Sequence, residues 1–191
     1  METAEPTQAI IDEFVGNAHG DQARVQAILA EHPDIVNADA SWHETAIEAA
    51  AQMGRADIAD VLLAAGAPLA ICTAAVFGKR EEVARILADD PAQARATGAH
   101  GIPSLYFPVI GDHREIAEML LAHGAEVNAG AGGTTPLHGA ASFGRAEMAA
   151  WLLDHGADPN SRNYEDKTPL QVALDHEHTA VAELLRARGE K

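Results

Sequence analysis

The sequence predicts an all-α solenoid of about six helix-turn-helix units, and three observations predict it. Thr135-Pro136-Leu137 returns 33 residues later as Thr168-Pro169-Leu170. Glycines keep nearly the same spacing, at Gly20 and Gly54 and then at Gly78, Gly111 and Gly144, with one shortened interval from Gly54 to Gly78. Six segments place apolar residues at i, i+3 and i+4, which puts them on one helix face. They read Val25, Ile28, Leu29; Ile58, Val61, Leu62; Val83, Ile86, Leu87; Ile116, Met119, Leu120; Met148, Trp151, Leu152; and Val181, Leu184, Leu185. A fixed period of this kind marks a repeat array. Each unit is a short helix, a tight turn, a longer helix and a loop, too small to bury its apolar face alone, so neighbours must stack.

A single domain is expected, with units near residues 5–42, 43–67, 68–99, 100–132, 133–165 and 166–191. Paired alanines in the short helices (Ala50 and Ala51, Ala74 and Ala75, Ala140 and Ala141) let helices approach at the close end of the usual ~8 to 10 Å range. In the fifth unit Thr135 suits the N-cap, Pro136 the first helical position and Leu137 the start of the buried face. Gly144 ends the helix in a conformation that glycine adopts cheaply. In the fourth unit IPSLYFPV stands against TPLHGAAS, with Ser104 for the core Leu, Phe107 for an Ala and Pro108 inside the short helix. Pro108 predicts a kinked or shortened helix. Tyr106 and Phe107 either fill the space this leaves or stay partly exposed as a recognition feature. Glu13, Gly16 and Asn17 replace Leu137, Ala140 and Ala141 in the first unit, and Arg186 takes a leucine position in the last. Both ends are therefore expected to be capped and the array complete.

Hydrophobic residues make up 47% of the chain but aromatics only 4%, so the core is built from Ala, Leu, Val and Ile. A formal charge of −16 argues against binding driven by phosphate neutralisation, which excludes nucleic acid and anionic membrane as expected partners. Cys72 is the lone cysteine, so neither an internal disulfide nor a cysteine zinc cluster can form within one chain. The start METAEPTQAIIDEF lacks the basic and apolar regions of a signal peptide, and no run approaches a membrane span. A soluble cytoplasmic protein is expected.

The stretch TPLHGAASFGRAEMAAWLLDHGADPN resembles an ankyrin repeat, a family known for this period and a T-P-L-H-x-A signature. IPSLYFPVIGDHREIAEMLLAHGAEVN and TAIEAAAQMGRADIADVLLAAGAPL are looser variants. The resemblance implies short β-hairpin-like finger loops between units. LLAAGAPLAICTAAVFG keeps both helices and shortens the connection, so one finger is deleted between units 2 and 3; this is either a change in docking shape or tolerated loop variation. The remaining fingers carry Trp42 and His43, then His100, then Gly130 to Gly133, then Asn163 to Lys167 with Tyr164. The resemblance gives His138 a structural role, bonding locally and tying neighbouring loops. It also implies binding of a protein partner through the concave face of fingers and short helices, by a non-catalytic adaptor, scaffold or inhibitor. The two positions before each punctuating glycine vary with the ligand in the family, and here align Met53, Phe77, Ile110 and Phe143 into an apolar stripe. Exposed, such a stripe is an interaction surface; tucked between helices it is core. The expected partner-binding residues are Trp42, His43, Met53, Phe77, His100, Tyr106, Ile110, Phe143 and Tyr164. A monomer is expected, with weak self-association through the stripe as the alternative.

Asp175-His176-Glu177-His178 is the densest titratable run, but residues two apart face different sides of a helix. His123 and His155 recur near the ends of neighbouring long helices, a spacing of ~8 to 10 Å that is too wide to share a metal. No phosphate loop, nucleophile elbow or His-Glu-x-x-His occurs. No catalytic residue, cofactor or metal is therefore expected; the competing reading is a metal-dependent hydrolase using surface His, Asp and Glu.

Overall fold

The computed structural model describes residues 6–130 and 132–189. Residue 5 of the expected first unit, residue 131 of the glycine-rich loop and residues 190–191 of the last unit lie outside them. The described residues form twelve α-helices in six consecutive pairs: α1 (Gln8–Asn17) with α2 (Gln22–Glu31), α3 (Ala46–Gln52) with α4 (Ala56–Ala64), α5 (Ile71–Val76) with α6 (Arg80–Asp89), α7 (Tyr106–Ile110) with α8 (Arg114–Ala122), α9 (Pro136–Ser142) with α10 (Ala146–Asp154), and α11 (Pro169–Asp175) with α12 (Thr179–Gly189). The short odd-numbered helices pack side by side, α1 on α3 and so on to α9 on α11. The even-numbered helices form a second layer outside them. In that layer the i and i+4 residues of every apolar triplet are buried, from Val25 and Leu29 to Val181 and Leu185. The middle residue is buried only at Ile28 and Trp151 and half-buried at Val61, Ile86, Met119 and Leu184.

Three short helices begin with the same device. Thr45, Thr135 and Thr168 precede the first turn, and the side chain three residues on (Glu48, His138, Gln171) accepts from the threonine N–H. Each thus satisfies an orphan donor of the helix start. His138 does more: its Nδ1 lies 2.8 Å from the Thr135 hydroxyl, and its Nε2 lies 3.0 Å from the Lys167 carbonyl one unit on. With Nδ1 accepting, Nε2–H must donate to Lys167, so one ring ties a helix cap to the next loop. His138 is 2% exposed.

The turns correct the register expected for unit 4. Five of the six short helices, all but α1, end at a left-handed residue: Gly54, Gly78, Gly144 and Glu177, and in unit 4 Asp112, where Gly111 has φ −75. Gly111 is a glycine for a different reason, since a Cβ there would run into the Val76 carbonyl oxygen and the His113 ring. The residue after the turn then reaches back one unit: Arg55 Nη1 donates to the Gly20 carbonyl (2.5 Å), Arg145 Nε to Ile110 (2.9 Å), and the His178 ring bonds Ser142 (3.0 Å).

Pro108 shortens its helix as predicted. Aligned with α9, the helix would start at Pro103; instead α7 spans five residues. The Ser104 carbonyl, which Pro108 has no N–H to meet, accepts from Phe107 in a tighter i+3 bond of 3.3 Å. Ser104 turns its hydroxyl to the Ala94 carbonyl at 2.5 Å, which satisfies a buried polar group. Phe107 is 1% exposed and fills the space above Gly98, while the Tyr106 ring packs where a Cβ of Gly139 would lie. Both are core side chains.

Between units 2 and 3 the connection is reduced to residues 65–70, with no finger. Here the core divides into two clusters, one of units 1 and 2 and one of units 3 to 6, and Phe77 packs against both. The ends differ from each other. In the first unit Glu13 and Gly16 are exposed and Asn17 half-buried, giving a polar outer face. In the last, Arg186 is exposed, yet Leu174 remains 46% exposed with Leu170 and Leu184 half-buried beside it, so that face is only partly polar.

Leu120→Ala is expected to lower the unfolding free energy in urea by ~2 to 5 kcal/mol. Phe77→Ala, removing a half-buried side chain shared by both clusters, is expected to cost about 2 kcal/mol; an unchanged midpoint would contradict its role there. A second prediction concerns acid. Burial pushes the His138 imidazole below its usual pKa, against smaller opposing bonds from Lys167 and Ser161. The native state therefore favours the neutral ring, and the stability this confers is present above pH ~6.5 and lost as pH falls below it. The stability gap between wild type and His138→Gln should shrink from pH about 7.5 to about 5 in paired denaturant titrations. A constant gap would contradict the assignment.

Candidate functional site

The finger loops are hairpin-like but contain no named strand among the described residues. Single antiparallel bridges, Asp39 with Thr45 and Thr97 with Pro103, close the first two. Ala40 N–H to Glu44, Gly98 to Ile102 and Asn163 to Lys167 carbonyls form the same tip closure. His43, His100 and Asp166 take left-handed conformations in those tips. Trp42 and His43 are exposed on the first finger, His100 on the second and Tyr164 on the last, where its ring is 74% exposed.

The corrected register also corrects the apolar stripe. The residue preceding each left-handed turn is Met53, Phe77, Gly111, Phe143 and His176. Ile110 falls one place earlier, equivalent to Ser142, and is 2% exposed in the core. Tyr106 is likewise a core residue at 8%, and burial pushes its phenol up to about 12. Both were expected on the binding surface; Ile110 is drawn into the core because helix α7 ends one residue later than glycine spacing implies and Tyr106 because it packs on Gly139, each leaving only an edge toward the inner face. Met53 is exposed, whereas Phe77 and Phe143 are half-buried, so the stripe is broken by Gly111 and ends in a histidine.

These residues line a two-part groove along the inner layer. The larger part, about 920 Å³, lies between the fingers and the short-helix ends; Gln52, Met53, His100, Phe143, Tyr164 and His176 line it, together with what Tyr106 exposes. The smaller part, about 370 Å³, continues from Met53 and Phe143 past Phe77, Lys79, Gly111 and Arg145. Of the nine expected residues, Met53, His100, Tyr106, Phe143 and Tyr164 meet in the larger part and Phe77 and Ile110 in the smaller. Trp42 and His43 line neither.

Trp42 instead serves a residue that sequence reasoning missed. Glu44 is 1% exposed, yet it is a carboxylate. Trp42 Nε1 donates to its Oε2 at 2.7 Å and Gln52 Nε2 to its Oε1 at 2.8 Å. His19 and His100 bring their Nε2 atoms to 3.6 and 3.7 Å from Oε2. His100 belongs to the finger beyond the deleted one, so the deletion lets two fingers meet across the gap. No spacing rule marks Glu44, because its partners come from four separate segments. His176 was legible by extending the stripe one unit.

Elsewhere the reactive side chains serve the fold. His123 and His155 each lie 2.8 Å by Nδ1 from a carbonyl four residues back, Met119 and Trp151. His176 and His178 stack with ring centroids 6.1 Å apart, and His178 is held by Ser142. Cys72 is buried, and desolvation, with a smaller push from Glu48, moves its thiol up to about 12, out of the range where a thiolate reacts. Among the described residues no three His, Cys, Asp or Glu side chains gather as a metal-ligand set, and no helix is long and apolar enough to cross a membrane.

Residues 120–173 match the family model for ankyrin repeats in many copies. The chain is 47% identical over 70 residues to Ankyrin repeat and SOCS box protein 11 of Danio rerio, covering 37% of this chain and 23% of that one. It is 47% identical over 72 residues to the BTB/POZ domain and ankyrin repeat-containing protein BOP of Lupinus luteus, covering 36% and 15%. With the E3 ubiquitin-protein ligase Ufd4 of Drosophila melanogaster it shares 44% over 79 residues, covering 40% and 3%. The matches thus span less than a quarter of these relatives. Together with six stacked helix pairs, threonine-capped short helices and the His138 tie, they make the chain similar to ankyrin-repeat proteins, with the family match lying at residues 120–173.

Proposed function

We propose that the chain is a non-catalytic interaction module, an adaptor, scaffold or inhibitor, that acts as a monomer and binds a protein partner in the groove of its inner face. The observation that carries this reading is the groove itself: two adjoining concavities that share Met53 and Phe143, with Met53 and Tyr164 exposed and Phe143 half-buried, on a surface otherwise rich in charge. Aromatic side chains in concave, partly dry sites dominate many protein interfaces. Ankyrin repeats are protein-interaction modules, which agrees with this reading. His19 and His100 converge on Glu44, but among the described residues no three His, Cys, Asp or Glu side chains gather as a metal-ligand set, so the metal-dependent hydrolase alternative gains no geometric support.

The test compares wild type with Met53→Ser/Tyr164→Ser, at exposed positions where surface substitutions change stability by within about 0.5 kcal/mol each. A photo-reactive residue at position 53 should cross-link to the partner in extracts of the native organism, and one at Glu118 on the outer layer should not. The double variant should lose the partner while melting with wild type. Equal capture by both proteins, or cross-linking from position 118 alone, would contradict the groove.

A further inference from the structure

We propose that the finger half of this groove takes a basic segment of the protein partner, with an arginine or lysine side chain entering the cavity lined by Tyr106, Phe143 and Tyr164. The inference rests on the groove being the binding site and adds the chemistry of its occupant. The lining of this half contains no lysine, arginine or exposed carboxylate. Behind it stands Glu44, whose two bonded donors, Trp42 and Gln52, are neutral, with the His19 and His100 rings as the cation-forming groups beside it. Gln52 and His100, both within reach of Glu44, form the groove wall. A charge held in the protein interior is screened far less than one in water, so its field extends into the cavity. Next in sequence to the lining residues Tyr164 and His176 stand Glu165 and Asp175, which share Lys167 at 2.8 and 3.0 Å, one cation for two carboxylates outside the lining itself. Aromatic faces attract cations, and a cleft of one sign in an acidic protein concentrates its counter-charge. The other half of the groove carries Lys79 and Arg145 against the single carboxylate Asp60, an excess of positive charge that places the incoming cation at the finger side.

The experiment is a selection of random dodecapeptides displayed on phage against the immobilised full chain at pH about 8, where histidine is neutral. Enriched peptides are then synthesised with a fluorescent label and titrated by anisotropy against wild type, Tyr164→Ser and Glu44→Gln. The expected peptides carry net positive charge. Their affinity should fall about tenfold or more when the conserved Arg or Lys is replaced by norleucine, and again between about 50 and 500 mM salt. Tyr164→Ser should abolish most binding, and Glu44→Gln should weaken it severalfold; circular dichroism melts verify that both variants are folded. Enriched peptides that depend on Tyr164 but are neutral or acidic, or insensitive to salt, would overturn the basic occupant and leave the groove standing. Peptides indifferent to Tyr164→Ser, or no enrichment at all, would overturn the groove itself.

Discussion

Everything in this fold follows from burial that is completed only by a neighbour. A pair such as α9 and α10 has one apolar flank on each side, and an isolated helical hairpin of this size does not bury enough to offset its ordering entropy. Stacking supplies the missing surface, and short directional ties fix its register. Arg55, Arg145 and His178 each reach a carbonyl of the preceding unit, while His138 reaches forward to Lys167. At Ile110 and Ser142, the last residues of α7 and α9, these bonds give helix-end carbonyls a partner, and together they hold the short helices in a row whose inner edge is the groove.

The same constraint explains why one finger can be dispensed with. The fingers contribute little to either core cluster, so shortening the connection to residues 65–70 leaves α4 and α5 packed. What changes is the surface. Two fingers that would be separated come together at Glu44, where Trp42, Gln52, His19 and His100 converge. A buried carboxylate without a full counter-charge is costly. The seam between the two core clusters lies at the same junction, with Phe77 as the side chain common to both.

Much of this was legible in the sequence because it is periodic. Helix order, the Thr caps and the shortened α7 follow from residue spacing and the chemistry of Thr, Pro and Gly, while the structural role of His138 and the deleted finger are what the resemblance to ankyrin repeats implies. What escaped detection was local and non-periodic. The spacing of Gly111 suggested a turn glycine, but it is required by the close approach of Val76, and the turn falls on Asp112; one residue of slip sent Ile110 into the core. The burial of Tyr106 depends on the absence of a side chain at Gly139, a unit away. The environment of Glu44 depends on four segments meeting. Spacing carries no trace of such encounters.

The central claim is that no unit folds without its neighbours, and circular dichroism of a synthetic peptide spanning residues 133–165 beside the full chain tests it most directly. The account predicts a disordered spectrum for the peptide, with no cooperative melt, against a helical and cooperative full chain. A peptide with native-like helix content and its own sharp transition would contradict it.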